Sequence, residues 1–164
     1  MTNPDWTLRY DVVEDDRMRV RRLVESTGFF SPAEVDVAVE LVQERLRLGE
    51  ESGYYFAFAQ RDGETTGYAC YGPIAGTVAS FDLFWMAVHP SAQGAGLGRL
   101  LLAESERLIG RAGGRRVYIE TSHRAQYAPT RAFYVRGGYF LEAILKDFYA
   151  PGDDKAIFVK ALAE

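Results

Sequence analysis

One cysteine, Cys70, stands among 164 residues, so no disulfide can form within the chain, and the fold rests on its apolar core. In the strand-like run 65–71 it reads as a small buried apolar residue and not as a nucleophile. Two histidines and one cysteine at unrelated spacings make no ligand pattern, so no metal is expected. No stretch approaches the ~20 apolar residues of a membrane-spanning helix. Residues 1–9 lack the basic start and apolar run of a secretory leader, and a cytoplasmic location is expected. The formal net charge is -4 and no long basic run occurs, which argues against nucleic acid as a partner. Repeats, low-complexity tracts and linkers are also missing. A single domain over 1–164 is therefore expected.

Aromatics, by contrast, are plentiful: ten Tyr and ten Phe exceed what one core needs, so some are candidates for a pocket lining. Residues 8–13 alternate as a first strand. Asp15 or Asp16 is placed to cap a helix that stops at Gly28. Ser31-Pro32-Ala33-Glu34 opens a second helix, with Ser31 as cap, Pro32 at the first helical position and Glu34 closing a capping box. Val35, Val39, Val42 and Leu46 form its apolar stripe, ended by Gly49. Residues 54–59 and 65–71 read as a hairpin, and 81–88 as a nearly continuous apolar central strand. A helix follows the glycines at 94, 96 and 98, then a strand over 116–121, a short helix over 129–136, and a last hairpin, 139–148 with 156–162, turning at 151–154. The order is β-α-α-β-β-β-α-β-α-β-β.

The segment 85–101, WMAVHPSAQGAGLGRLL, holds the chemistry. An apolar strand ends, His89-Pro90 turns the chain, and a glycine-rich loop opens a helix. The unpaired N–H groups and positive dipole end of a first helical turn attract a phosphate or pyrophosphate. Glycines let such a ligand approach the backbone. A dinucleotide fingerprint would need glycine at 99, where Arg99 stands, and a Walker loop needs a Gly-Lys-Ser/Thr ending that is missing. On the loop alone, a plain glycine-rich strand-to-helix turn is the alternative.

Gln93-Gly94-Ala95-Gly96-Leu97-Gly98 resembles the Q/R-x-x-G-x-G/A coenzyme A signature of the GNAT N-acetyltransferase superfamily. The run 132–139, AFYVRGGY, is similar to that family's second hallmark, a helix written roughly F-Y-x-x-x-G-F/Y. The element order is similar over almost the whole chain. The resemblance implies an α/β fold (an α+β mixed sheet) with a splay between two central parallel strands. It implies acetyl transfer from acetyl-CoA to an amine. Backbone groups of Met86, Ala87 and Val88 would pair with the pantetheine arm, and the loop from Gln93 to Arg99 would hold the pyrophosphate. An Asn that many relatives carry before the Tyr helix is absent here, and Tyr127, Thr130 or Arg131 stands as its substitute.

The chemistry needs a neutral nitrogen, a polarised carbonyl and a stabilised thiolate. An alkylamine of pKa ~10.4 is almost wholly protonated at neutral pH, a handicap of about 4–5 kcal/mol that a base partly offsets. Glu120, at the end of its strand and matching a catalytic Glu of several relatives, is the first candidate; a solvated strand-end carboxylate is its other reading. Asp82, a charge in an apolar strand, is the second. The N–H of Val88 is the implied carbonyl polariser. Tyr134 is the implied hydrogen-bond donor or acid toward the departing sulfur, against the plain reading of a core tyrosine. His123 reads as a solvated loop residue and His89 as a shaper of the turn. Phe29, Phe30, Phe148 and Tyr149 fall where the family builds its acceptor wall, with Glu25, Asp82 and Asp147 as nearby carboxylates. These suit a small-molecule amine or amino-acid-like acceptor. A protein N-terminal or lysine acetyltransferase, and a non-catalytic acyl-CoA-binding module, are the other readings, and a homodimer is left open.

Overall fold

The computed structural model describes residues 6–163, and within them the expected element order is present. Four helices accompany a seven-stranded mixed sheet of order β1-β2-β3-β4-β5-β7-β6. The chain divides into two compact units, residues 1–72 with 85–105 and residues 73–84 with 106–164.

The first unit holds β1 (Thr7–Arg9), α1 (Asp16–Ser26), α2 (Pro32–Leu48), β2 (Tyr55–Arg61), most of β3 (Glu64–Pro73), the end of β4 (Ser80–Val88) and the start of α3 (Leu97–Arg111). The capping box is formed: the Glu34 N–H donates to Ser31 Oγ at 3.2 Å, and the Ser31 N–H donates to Glu34 Oε1 at 3.1 Å. Val35, Val39 and Val42 are buried along α2, as their spacing requires. At α1 the cap differs from expectation. Asp15 occupies the cap position without a side-chain hydrogen bond, while Asp16 is fully buried. Its carboxylate accepts from the Val13 N–H at 2.8 Å and from both terminal nitrogens of Arg9 at 2.7 and 2.9 Å. β2 and β3 form the expected hairpin, whose turn places Asp62 and Gly63 at φ 52° and 78°. Cys70 is wholly buried, which pushes its thiol well up.

The second unit holds the start of β4, the end of α3, β5 (Arg116–Ser122), α4 (Ala128–Arg136), β6 (Phe140–Ala150) and β7 (Asp153–Ala161). β4 and β5 pair in parallel through Ser80, Phe81 and Asp82 against Arg116, Val117 and Tyr118, and the ladder stops there. This is the expected splay. β5 then pairs with β7 along its whole length. Gly114 is required by packing: a Cβ would lie 2.3 Å from Ile109 Cγ2 and 2.8 Å from Phe81 Cδ1. The last turn is tighter than expected. Ala150 pairs with Asp153, leaving only Pro151-Gly152 as loop, with Gly152 at φ 80°. An irregularity in β6 absorbs the difference, with Asp147 at φ 53°.

Candidate active site

In the first unit, the sheet side of α3 fixes the glycine loop. Leu97 and Leu101 are fully buried and cluster with Ala59 and Ala92. Gly67 lets them approach, since a Cβ there would meet Leu97 Cδ2 and Leu101 Cδ1 at 3.0 Å and the Ala87 carbonyl at 3.3 Å. His89 Nδ1 accepts from the Ser91 N–H at 3.1 Å, and the His89 N–H donates to the Thr66 carbonyl at 2.8 Å. His89 thus shapes the turn, as expected. Gln93 Nε2 donates to the Val88 carbonyl at 3.1 Å, tying the loop to the strand end. Gly94 and Gly96 have φ of 79° and 89°, and nothing lies within 4 Å of the Cβ either would carry. The Gly96 carbonyl accepts the Leu100 N–H, which opens the helix, and no acidic residue stands in the first turn. An open loop and a helix start without an acidic residue in its first turn fit the pyrophosphate of a nucleotide coenzyme.

In the second unit, alternation along β5 places Tyr118, Glu120 and Ser122 on one face. Asp82 is opposite Tyr118 and Lys155 is opposite Ser122, so Asp82, Glu120 and Lys155 form a row. Lys155 Nζ lies 2.8 Å from Glu120 Oε2 and 4.0 Å from the centre of the Phe148 ring. The Asp82 carboxyl is half-buried. Desolvation, reinforced by the Glu120 charge and opposed by Lys155, pushes its pKa up to about 6. Tyr134 is buried on α4, edge-on to Phe133 and Tyr139. Burial pushes its phenol up to about 12. Its hydroxyl has no hydrogen-bond partner among the described residues.

Sequence comparison identifies the family. The profile of the acetyltransferase (GNAT) family matches residues 14–139. The chain belongs to that family. A crystal structure assigned to the GNAT family from Desulfovibrio desulfuricans shares 51% identity, with 96% of this chain and 99% of that one covered and a TM-score of 0.94. A ribosomal-protein-alanine N-acetyltransferase from Brucella melitensis shares 24% identity at TM-score 0.76, covering 95% and 99% of the two chains. The PaiA N-acetyltransferase of Thermoplasma acidophilum, solved with coenzyme A, shares 20% at TM-score 0.71, covering 99% and 100%. No curated protein matches the sequence.

Other expected residues of this GNAT chain fall less simply. Arg131 donates from Nη1 to the carbonyls of Ser122 and Arg124 at 3.1 and 2.7 Å, so it braces the segment between β5 and α4. Thr130, one residue before it, is half-buried. Met86 and Val88 are half-buried on β4 and Ala87 is buried. Phe30 packs on Trp85 with ring centres 5.1 Å apart, while Phe29 is exposed. Phe148 and Tyr149 are exposed on β6, edge-on to one another. Asp147 is engaged by the backbone: its Oδ1 accepts the Gly152 N–H at 2.9 Å, and its own N–H donates to Asp154 Oδ1 at 2.8 Å. Two features escaped the sequence reading. Lys155 is a buried lysine in a hairpin strand, signalled only by its place on the same alternation as the strand's inward residues. The Trp85 indole N–H is buried without a hydrogen-bond partner. No helix among the described residues is long and apolar enough to cross a membrane.

Proposed function

We propose that this chain moves the acetyl group of acetyl-CoA to the amine of a small cationic or amino-acid-like molecule, with Asp82 taking the proton. The observation that carries the reading is the row Asp82, Glu120, Lys155. Glu120 is held by an ammonium at 2.8 Å, whereas the Asp82 carboxyl, near pKa 6, is ionised at neutral pH yet keeps appreciable proton affinity. Sequence alone ranks Glu120 first; the Lys155 contact favours Asp82, with Glu120 raising its basicity.

Acetyl-CoA supplies the activated acyl group. The loop from Gln93 to Arg99 holds its pyrophosphate, backbone groups of Met86, Ala87 and Val88 align the pantetheine arm, and the Val88 N–H polarises the carbonyl. The neutral amine attacks the carbonyl carbon, the N–C bond forms as the C–S bond breaks, and the nitrogen's surplus proton passes to Asp82, directly or through water. As the N–C bond forms, the nitrogen becomes a far stronger acid, so a weak base suffices. Tyr134 acts by hydrogen bonding to the sulfur. Full proton transfer from a phenol near 12 to a thiolate of reference pKa ~8.5 would run uphill by about 5 kcal/mol. Phe29 and Phe30, with Trp85 behind Phe30, supply aromatic surface for the acceptor; Thr130 serves the coenzyme, and Arg131 braces the segment that carries it.

An acetylation panel of polyamines, amino sugars, amino acids and peptide N-termini, read by thiol release from acetyl-CoA, tests the reading. Turnover of small amines is the expected result. Turnover of peptides alone would assign a protein acceptor, and binding of acetyl-CoA without thiol release from any amine would assign a binding module.

A further inference from the structure

Among the described residues no hydrogen bond aims the Tyr134 hydroxyl, so its place is set by whatever holds its ring and the backbone of α4. That helix has nine residues, too few to be stable without tertiary contacts. The ring meets Phe133 at 5.4 Å between centres, Tyr139 at 6.0 Å and Phe158 at 6.5 Å. Phe133 moves with the helix, and Phe158 offers apolar packing only. Tyr139 differs, because it is tied at both ends. Its N–H donates to the Tyr134 carbonyl at 3.0 Å, and its hydroxyl donates to Glu106 Oε2 at 3.0 Å.

Glu106, on α3, is fixed in turn. Its Oε1 accepts from Lys160 Nζ at 2.7 Å, and the same ammonium donates to the Gly137 carbonyl at 2.9 Å. Lys160, on β7, thus gives Glu106 its countercharge and satisfies a carbonyl at the C-terminus of α4, where a cation also meets the negative end of the helix dipole. Gly138 leaves room for it: its φ is 93°, and a Cβ there would lie 3.3 Å from Lys160 Cε. Burial, with the Glu106 charge behind it, pushes the Tyr139 phenol well up, so at neutral pH it keeps the proton it donates. We propose that Glu106 and Lys160 are positioning residues, which act through Tyr139 to hold the Tyr134 hydroxyl where the sulfur departs. The proposal rests on the reading of Tyr134 as hydrogen-bond donor to that sulfur. It adds a chain of three side chains, from β7 through α3 to the residue before β6, to what that reading requires.

Steady-state kinetics of single and double variants test it, each assayed below its own melting transition. Tyr139→Phe keeps the ring and deletes the bond to Glu106. Its kcat is expected to fall by about tenfold with the KM for acetyl-CoA nearly unchanged, because a small misplacement of the donor is felt in the transition state and not in binding. Lys160→Met is expected to do the same. Glu106→Leu deletes the acceptor and lowers kcat alike, whereas Glu106→Gln keeps an oxygen for Tyr139 and retains most of it. In the Tyr134→Phe background, Tyr139→Phe costs nothing more, since both act through one hydroxyl. Should Glu106→Leu or Lys160→Met fail to fold, Tyr139→Phe and this double variant decide. An unchanged kcat in Tyr139→Phe, where Tyr134→Phe lowers it, overturns the positioning role and spares the Tyr134 reading. A further full loss in the double variant, or equal kcat in Glu106→Gln and Glu106→Leu, overturns the route through Tyr139. An unchanged kcat in Tyr134→Phe overturns the Tyr134 reading itself, and the positioning role falls with it.

Discussion

Lys155 Nζ stands 2.8 Å from Glu120 Oε2, and this contact separates the roles of two carboxylates on one face of the sheet. Glu120 has its countercharge. Asp82 has none so close among the described residues, and feels the Glu120 charge as an addition to its own burial. A half-buried group biased in this way holds a proton at higher pH than an ordinary aspartate does.

The consequence is a pH profile with a defined origin. With both substrates saturating, turnover is expected to rise as pH climbs through about 6, because Asp82 accepts a proton only when ionised. Asp82→Asn removes this limb. Glu120→Gln deletes a negative charge that raises Asp82, so the limb moves to lower pH. Lys155→Met deletes a positive charge that lowers it, so the limb moves to higher pH. Measured kcat–pH curves of the four proteins check the assignment. A limb that survives in Asp82→Asn and disappears in Glu120→Gln would return the base to Glu120.

Tyr134→Phe removes one hydroxyl and little volume from a buried ring. Turnover is expected to fall by about 10²-fold, with the KM for acetyl-CoA nearly unchanged, since the hydroxyl acts on developing sulfur charge and not on the bound coenzyme. Steady-state kinetics, with chemistry shown to be rate-limiting, provide the check. Unchanged kcat would make Tyr134 a packing residue only, edge-on to Tyr139.

The glycine loop calls for a substitution that its backbone tolerates. Gly96 is at φ 89°, so any side chain there brings strain whatever its charge. Ala95 already carries a Cβ and is exposed. Ala95→Glu therefore adds a negative charge to the loop and little else. Acetyl-CoA at 100 times its Kd is expected to stabilise the wild type by about 2.7 kcal/mol in thermal melts. The variant should melt like the wild type without ligand and gain far less with it. An equal gain in both proteins would move the pyrophosphate elsewhere.

Local signals explain why much of this was legible in the sequence. Ser31 and Glu34 form a capping box because both partners lie within one turn, and the glycine loop declares itself by a strand before it and a helical stripe after it. What depends on distant residues was not legible. Lys155 and Glu120 are 35 positions apart and meet only through the register of β5 with β7. Asp16 rather than Asp15 became the buried residue because Arg9, on another element, meets it. The Pro151-Gly152 turn is two residues long because Asp147 takes a left-handed conformation upstream. That choice is settled by the hairpin's hydrogen bonds and not by any local motif.

Asp16 yields a prediction about stability that is independent of catalysis. Its side chain is wholly buried, and burial opposes its charge; the hydrogen bonds from Arg9, the Val13 N–H and Arg19 outweigh that and hold its pKa below the usual aspartate value. Asp16→Asn keeps an acceptor for Val13 but leaves Arg9 without its bidentate partner. The loss expected at neutral pH is about 3 kcal/mol, at the lower end for a broken buried pair because Arg9 retains some solvent contact. The sign with pH follows from the lowered pKa. The folded state holds the carboxylate ionised more firmly than the unfolded chain, so the contribution is complete above about pH 4 and is lost as pH falls through the folded value. Denaturant unfolding of wild type and variant at neutral pH and at pH values below 4 measures it. The gap between them should shrink on acidification. A gap that stays constant with pH would show that Asp16 contributes through packing and hydrogen bonding alone, without its charge.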